Sequence, residues 1–262
     1  MLEVSTLWIG SELPPYVSAC LASFPRLGHK LTLYLYSPTG NVPPTVKIED
    51  ANSIIDRRKL EPFGAIGKYA QFANYFRYEL LSKRSGTCWV DTDVFCLRPI
   101  IAEPFIFGRE DDTCINNGIL ALPHEHPILA KLCDMFRRPN FVPPWLSPRQ
   151  KLSYRLAAAL GRPIPREKFA WGVLGPAALT WYAHQYRLES FAKPPATFYP
   201  IHFREMDKLF DPSLDWDRLI SPVTKTVHLW NELLRRRADR CTPPQGSFLW
   251  KLVNGEPIIQ TS

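Results

Sequence analysis

Asp91-Thr92-Asp93 directly follows the apolar run Cys88-Trp89-Val90. On extended backbone, side chains two residues apart point to one face, so these two carboxylates are expected to converge. Convergent acids at the end of a buried strand suit a hard divalent cation. A cation held there can clamp a diphosphate and neutralise it as it leaves, which is the chemistry of sugar transfer from a nucleotide-sugar. A bare Asp-x-Asp says little, and the chain supplies its own contrast. Asp215-Trp216-Asp217 has the same spacing but follows Pro212 and Ser213 rather than an apolar run. That second pair reads as a helix start or a solvated turn.

Other groups fall into place around the first pair. Tyr69, Phe72, Phe76 and Leu80 recur at three- and four-residue steps, which predicts a helix over Lys68–Lys83. Asn74 and Arg77 lie three apart on it and share a face. An Arg there can grip phosphate or sugar oxygens through two N–H groups, or serve a structural ion pair. His228 sits between Thr226-Val227 and Leu229-Trp230-Asn231. Its imidazole can complete a coordination shell begun by two carboxylates, or simply cap and pack. His124 and His126, in PHEHP, lack the spacing of a helical zinc motif. The glycines of GAIG at 64–67 are too few for a phosphate loop, and no nucleophile elbow is present. Gly172 and Gly175-Pro176 read as a turn before a helix.

The remaining elements alternate. Strands are predicted over 4–10, Leu31–Tyr36, Val46–Ile48, Thr87–Val90, Ile115–Leu122, Phe198–Ile201 and Thr224–Leu229. Helices are predicted over Tyr16–Phe24, Ile128–Phe136, Lys151–Leu160 and Ala177–Gln185. Pro139–Pro148 reads as a surface loop, either an inserted lid or a rigid connection. The Pro- and Gly-rich tail from Cys241 is expected to wrap the surface. Alternating strands and helices predict an α/β sheet, with ligands collecting at the carboxyl ends of its strands.

Composition sets the outer limits. The chain has 262 residues, 45% hydrophobic and 22% charged, which suits one large α/β domain or two small ones. Eight Trp, ten Tyr and fifteen Phe can serve the core or stack on sugar faces. Six scattered Cys without a C-x-x-C argue against a zinc site or disulfide framework and fit a reducing cytoplasm. Cys88 and Cys96 are expected to be small buried hydrophobes. The first residues lack the pattern of a signal peptide, and no apolar run reaches membrane-spanning length. The net charge is +7, with clusters at Arg57-Arg58-Lys59, Arg137-Arg138 and Arg235-Arg236-Arg237. These are solvated faces or points of attraction to an anionic membrane surface or an acidic glycan. No nucleic-acid-binding motif accompanies the charge, so nucleic acid is not an expected partner.

The segment FANYFRYELLSKRSGTCWVDTDVFCLRP resembles the signature of the DXD-containing glycosyltransferases: S-D-x-x-R-Y, a glycine, then Y-x-D-x-D. That family includes α1,6-mannosyl-, α1,4-galactosyl- and N-acetylglucosaminyltransferases and bacterial capsule enzymes. LWIG, LYLYSP, INNGILALPHEHP, WGVLGPAALT, FYPIHF and VHLWN resemble further family segments in the same order. The resemblance implies a GT-A-like α/β fold, a Rossmann-like mixed sheet flanked by helices. It implies a single domain over 1–262, with a nucleotide half to about 123 and an acceptor half beyond. It also implies a nucleotide-sugar donor, often UDP-linked, a glycan or glycolipid acceptor in surface polysaccharide synthesis, Mn²⁺ or Mg²⁺, and retention at the anomeric carbon.

By position, the resemblance makes Asp93 a direct metal ligand and gives Asp91 metal, ribose or sugar. His228 matches the closing histidine of the metal or diphosphate shell. Arg77 matches the donor-contacting Arg, and Trp8 and Ile9 match the region that holds the base. Asn116 or Asn117 is expected at the donor sugar. One departure is notable: Asn74 stands where the family usually has Asp, and Ala73 where it has Ser. Asn keeps hydrogen bonding but loses the charge, so donor preference shifts or activity weakens. No residue stands out as a nucleophile, which favours front-face substitution. Two rivals remain at this point. A D-x-D phosphohydrolase would place its acids after the first strand, with Thr or Val where this chain has Phe95. A weak or inactive transferase fold would bind nucleotide-sugar or glycan without turnover.

Overall fold

The computed structural model describes residues 1–65 and 69–258. Lys68, where the sequence predicts the long helix to start, and Ile66-Gly67 of the GAIG segment lie outside the described residues. Eight strands are formed among the described residues: β1 (Glu3–Trp8), β2 (Lys30–Leu35), β3 (Lys47–Asp50), β4 (Thr87–Val90), β5 (Val94–Cys96), β6 (Ile106–Arg109), β7 (Ile115–Ala121) and β8 (Thr226–His228). Six of them build the main sheet in the order β3-β2-β1-β4-β7-β6. The first four run parallel. β7 then pairs antiparallel with β4, and β6 antiparallel with β7. β5 and β8 make a separate antiparallel pair. This mixed sheet flanked by helices is the α/β architecture the sequence predicts.

Pleating decides which side each apolar residue serves. Along β4, Cys88 and Val90 join Val4, Leu31 and Leu33 on one face. Trp89 joins Leu7, Tyr34 and Leu120 on the other. The first face is covered by the helix Pro15–Arg26, through Val17, Cys20, Leu21 and Phe24, and by the helix Phe248–Asn254. The second is covered by the helices Tyr69–Lys83, Pro127–Arg137 and Pro176–Gln185. Because helices cover both faces, β4 is buried along its whole length. Of the predicted stripe, Phe72, Phe76 and Leu80 are fully buried, whereas Tyr69, in the first turn of the helix, is 41% exposed. Gly86 then turns the chain into β4 with a φ of +78°, a conformation that suits glycine.

Three expectations are corrected. Phe198–Ile201 is not a strand: Pro195–Phe198 forms a helical turn. Pro194 and Pro195 preset the backbone for that turn, and Pro200 has no N–H to give a ladder. The region from Cys241 does not simply wrap the surface. Ser247 caps the helix Phe248–Asn254 by accepting from the Trp250 N–H, and Phe248 and Leu249 are fully buried in the core. β5 and β6, three and four residues long, were not expected at all. Among the described residues, no helix is long and apolar enough to cross a membrane.

Candidate metal centre and donor site

The acid pair does not lie on extended backbone. Asp91 to Val94 form a tight turn between β4 and β5, in which the Val94 N–H donates to the Asp91 carbonyl at 3.1 Å. The Asp91 N–H still donates across to the Gly118 carbonyl at 2.7 Å, which ties the turn to β7. The carboxylates converge all the same. One ligand atom each from Asp91, Asp93 and His228 lie within 4.8 Å of one another.

His228 arrives by strand pairing. β5 and β8 set Val94 opposite His228, so residue 93 meets residues 228 and beyond. The Leu229 N–H donates to the Asp93 carbonyl at 2.9 Å. Asp93 Oδ2 accepts from the Asn231 N–H at 2.6 Å and lies 3.2 Å from His228 Nε2. Between them Trp230 adopts a left-handed φ of +57°, unusual for a bulky residue. Such a conformation costs roughly 1–3 kcal/mol and persists where its surroundings fix it. Here the Trp230 indole N–H donates to the Ile201 carbonyl at 2.9 Å, and its ring centroid lies 4.1 Å from that of His228.

Arg77 is anchored against the other acid. It is 3% exposed, its guanidinium donates to Asp91 Oδ1, and it lies 4.9 Å above the Trp89 ring centroid. The Trp89 indole N–H donates to the same oxygen at 2.8 Å. Arg77 also donates to Asn74 Oδ1 at 3.0 Å, as helical spacing predicted. Asn117 donates to that same oxygen at 2.8 Å and to the Tyr78 hydroxyl at 3.0 Å. Asn116 donates to buried Glu110 at 2.6 Å, and its own Oδ1 accepts from the Gly118 N–H at 2.7 Å. Gly118 is required by closeness: a Cβ there would lie 3.0 Å from Asn116 Oδ1 and 3.1 Å from Asp91 Oδ2.

The two acids titrate in opposite directions. Burial pushes the Asp91 carboxyl up, with repulsion from Asp93 adding to it, while Arg77 works against the rise. Burial also penalises the Asp93 charge. The His228 charge and hydrogen bond and the Asn231 N–H outweigh that penalty and hold Asp93 below the ordinary carboxylate range. Burial likewise disfavours charged His228, but Asp93 and the other nearby carboxylates win and raise its pKa. Where His228 is protonated, Asp93 and His228 form an ion pair, 3.2 Å apart, with which a cation would compete.

The donor set fits a divalent ion of the Mn²⁺ or Mg²⁺ kind: two carboxylates and one imidazole. His228 Nδ1 is buried without a hydrogen-bond partner, as is Arg77 Nε. Arg77 Nε can only donate, so a cation would not satisfy it; the fit to a metal rests on the two carboxylates and the imidazole.

Trp8 is the last residue of β1, the strand beside β4, and Ile9 follows it, so both lie at the edge where the acid pair leaves β4. The Trp8 indole folds back over Gly10, where a Cβ would lie 2.9 Å from Trp8 Nε1, and that N–H is also buried and unpartnered. Asp215 of the contrasting acid pair accepts from the Arg218 N–H and caps the helix Trp216–Leu219, as expected. His126 caps the 127–137 helix and His124 meets the Ser82 carbonyl, so neither contributes. Sequence reasoning missed Trp89, Asn231, Tyr199 and Gly118 as parts of the site. Tyr199, whose hydroxyl accepts from the Ile119 N–H at 3.1 Å, lay in the misassigned strand. The role of Asn231 is a backbone contact and leaves no mark in residue type.

No protein-family model matches this chain, and none of the curated proteins does. Among solved structures, a chain described as "PaToxG Glycosyltransferase" is similar with a TM-score of 0.44 and 16% identity, over 72% of this chain and 86% of that one. A likeness that distant assigns no role to any residue.

Proposed function

We propose that this chain is a metal-dependent retaining glycosyltransferase. It takes a sugar from a nucleotide-sugar donor, most simply a UDP-linked one, and passes it to a glycan or glycolipid acceptor in surface polysaccharide synthesis. The observation that carries this reading is the convergence of Asp91, Asp93 and His228 beside buried Arg77, at the carboxyl edge of the parallel half-sheet. When bound, Mn²⁺ or Mg²⁺ supplies positive charge at a departing diphosphate. Asp91, Asp93 and His228 would hold it. Arg77 fixes the Asp91 carboxylate and adds a second positive charge to the same wall. Asn74, whose Oδ1 accepts from both Arg77 and Asn117, and Asn117 would border the donor sugar. Trp8 and Ile9 border the place of the base. The strands of residues 1–123 would form the donor half and the later segments the acceptor half of one domain. The free thiols of the described cysteines agree with a cytoplasmic setting.

A second reading is a fold that binds donor or glycan with little turnover. It is favoured by Asn74, whose uncharged amide stands where the resembled family carries an acid. One experiment separates the readings. Thermal unfolding is followed with UDP, GDP and their sugars, each with and without Mn²⁺. A ligand at a hundred times its dissociation constant adds about 2.7 kcal/mol, a shift of several degrees for a chain this size. A metal-dependent shift with one nucleotide class, lost in a folded Asp93→Ala variant that also loses nucleotide release, is the expected result. Binding without release with any acceptor supports the second reading. No shift with any nucleotide removes the first reading and leaves only the glycan-binding form of the second.

A further inference from the structure

The helix Pro148–Ala159 and the turn after it carry a feature the donor site does not use. The inner side of the helix is held by Tyr154, whose ring packs edge-on against buried Phe169 at 5.0 Å. Ala157 and Ala158 lie on that side and are half-buried. At 100° per residue, Leu152, Leu156 and Leu160 project from the opposite side. They are 59%, 54% and 78% exposed, and Trp171, two residues beyond Phe169, is 58% exposed. An apolar row of this kind on the outward side of a helix is the sort of surface that contacts a partner.

The charge around the row indicates which partner. From Arg137 to Arg166 the chain contains seven basic residues, Arg137, Arg138, Arg149, Lys151, Arg155, Arg162 and Arg166, and not one acid. Arg137 and Arg138 are paired with Glu79 and Asp134, and Arg166 donates to the Met135 and Pro139 carbonyls. Of the rest, Lys151 and Arg155 lie along one flank of the leucines, Arg149 precedes Leu152 on the same line, and Arg162 follows the helix. Leucines on one line with Lys and Arg beside them make the pattern of a helix that lies in a lipid interface. The absence of any acid over this stretch gives attraction to anionic headgroups with no local repulsion.

We propose that the 148–160 segment docks this chain onto an anionic lipid bilayer. The leucine row enters the headgroup boundary, and Arg149, Lys151, Arg155 and Arg162 meet lipid phosphates. The segment beneath the helix leads to the acid-pair site. Phe169 accepts a hydrogen bond from Gln71, and Gly175 packs directly on Asn74. Docking would therefore bring the donor site to the membrane, where a lipid-carried acceptor resides. The docking itself needs no catalysis and stands or falls apart from the reading of the donor site.

The test uses the whole chain. Co-sedimentation is measured with phosphatidylcholine vesicles, and with vesicles holding about 30 mol % phosphatidylglycerol, at low and high salt. Two variants are compared, Leu152→Ser/Leu156→Ser/Leu160→Ser and Arg149→Gln/Lys151→Gln/Arg155→Gln. All changed positions are on or near the surface, and circular dichroism checks that the variants fold. The expected result is salt-sensitive binding to the anionic vesicles alone, weakened roughly tenfold or more in each variant. Absent binding by the unchanged chain, or binding undiminished in both variants, overturns the proposal. So does lipid-free self-association that the leucine variant abolishes, since a second copy would then be the occupant. The metal-dependent nucleotide shift, measured without vesicles, is expected to be the same in the leucine variant. Its absence from the unchanged chain would refute the donor site without touching the docking.

Discussion

Removing the Arg77 guanidinium while leaving Asp91 in place isolates the electrostatics of the site. Arg77 is 3% exposed and the Asp91 side chain 27%. Arg77→Met keeps most of the side-chain length and deletes the charge. The loss of one partner from a buried pair costs about 3–5 kcal/mol, because the other charge is left unpaired. Partial exposure and the Trp89 N–H, 2.8 Å from Asp91, place this case at the lower end. The lost contact over the Trp89 ring adds about 1 kcal/mol. A destabilisation of about 3–4 kcal/mol follows. Asp91→Asn in the same background removes the stranded charge, so the double variant should recover about 2 kcal/mol of it. The pH dependence has a definite sign. Burial already raises the Asp91 carboxyl, and Arg77 is what opposes the rise. Without Arg77 the folded state holds that proton more tightly than the unfolded chain does. Stability then falls as pH rises through the window between the two values. The deficit should therefore be greatest near neutral pH and shrink on acidification toward the carboxylate range. Urea unfolding in chelator, near pH 7 and near pH 5, measures all of this. A single variant less than about 1 kcal/mol destabilised, or a double variant no better than the single, would refute the argument.

Further outcomes concern the same wall. Gly118→Ala puts a methyl group 3.0 Å from Asn116 Oδ1 and 3.1 Å from Asp91 Oδ2, and both must shift. A loss of about 1–2 kcal/mol and a weakened metal-dependent nucleotide shift are expected, and an unchanged shift would show that Asp91 tolerates displacement. Mn²⁺ affinity, read by calorimetry, should rise with pH through the elevated His228 titration, because the imidazole must lose its proton to bind metal. In the metal-free chain, stability from the His228 charge is full below its unfolded pKa and lost as pH rises through the higher folded one. A Mn²⁺ affinity flat between about pH 6 and about pH 8 counts against His228 as a ligand. Asn74→Asp should fold, because Asn74 Oδ1 is the acceptor in its bonds to both Arg77 and Asn117. Its profile across nucleotide-sugars is expected to change, and an identical profile would remove Asn74 from the donor site.

How far the sequence disclosed this molecule depends on the kind of signal each element carries. The parallel strands and the 69–83 helix have burial on a regular period, so β4 and the Phe72–Phe76–Leu80 stripe could be read directly. β5 is only three residues long and is paired with a strand more than 130 positions away, too short for any period to show. Phe198–Ile201 is apolar and aromatic like a strand, yet its prolines settle the backbone otherwise. In the site, residue types announced Asp91, Asp93, Arg77 and His228. The basis for their convergence was misjudged, since a turn rather than pleating aims the acids. Asn231 acts through its main chain and Gly118 through the absence of a side chain, and neither can be told from composition or spacing.

The β5–β8 pair also orders events in time. Asp91 belongs to a sheet whose strands all lie within the first 121 residues, but Asp93 finds His228 and the Asn231 N–H only when β8 has docked. Contacts so distant along the chain close late, because their loop entropy must be met before they give anything back. Until then the half-built molecule has one acid beside Arg77 and no enclosure for a cation. If the triad takes a metal as proposed, its capture would mark the arrival of β8. A bound ion would act as a latch, slowing the release of β8 while leaving the rate of assembling the main sheet untouched.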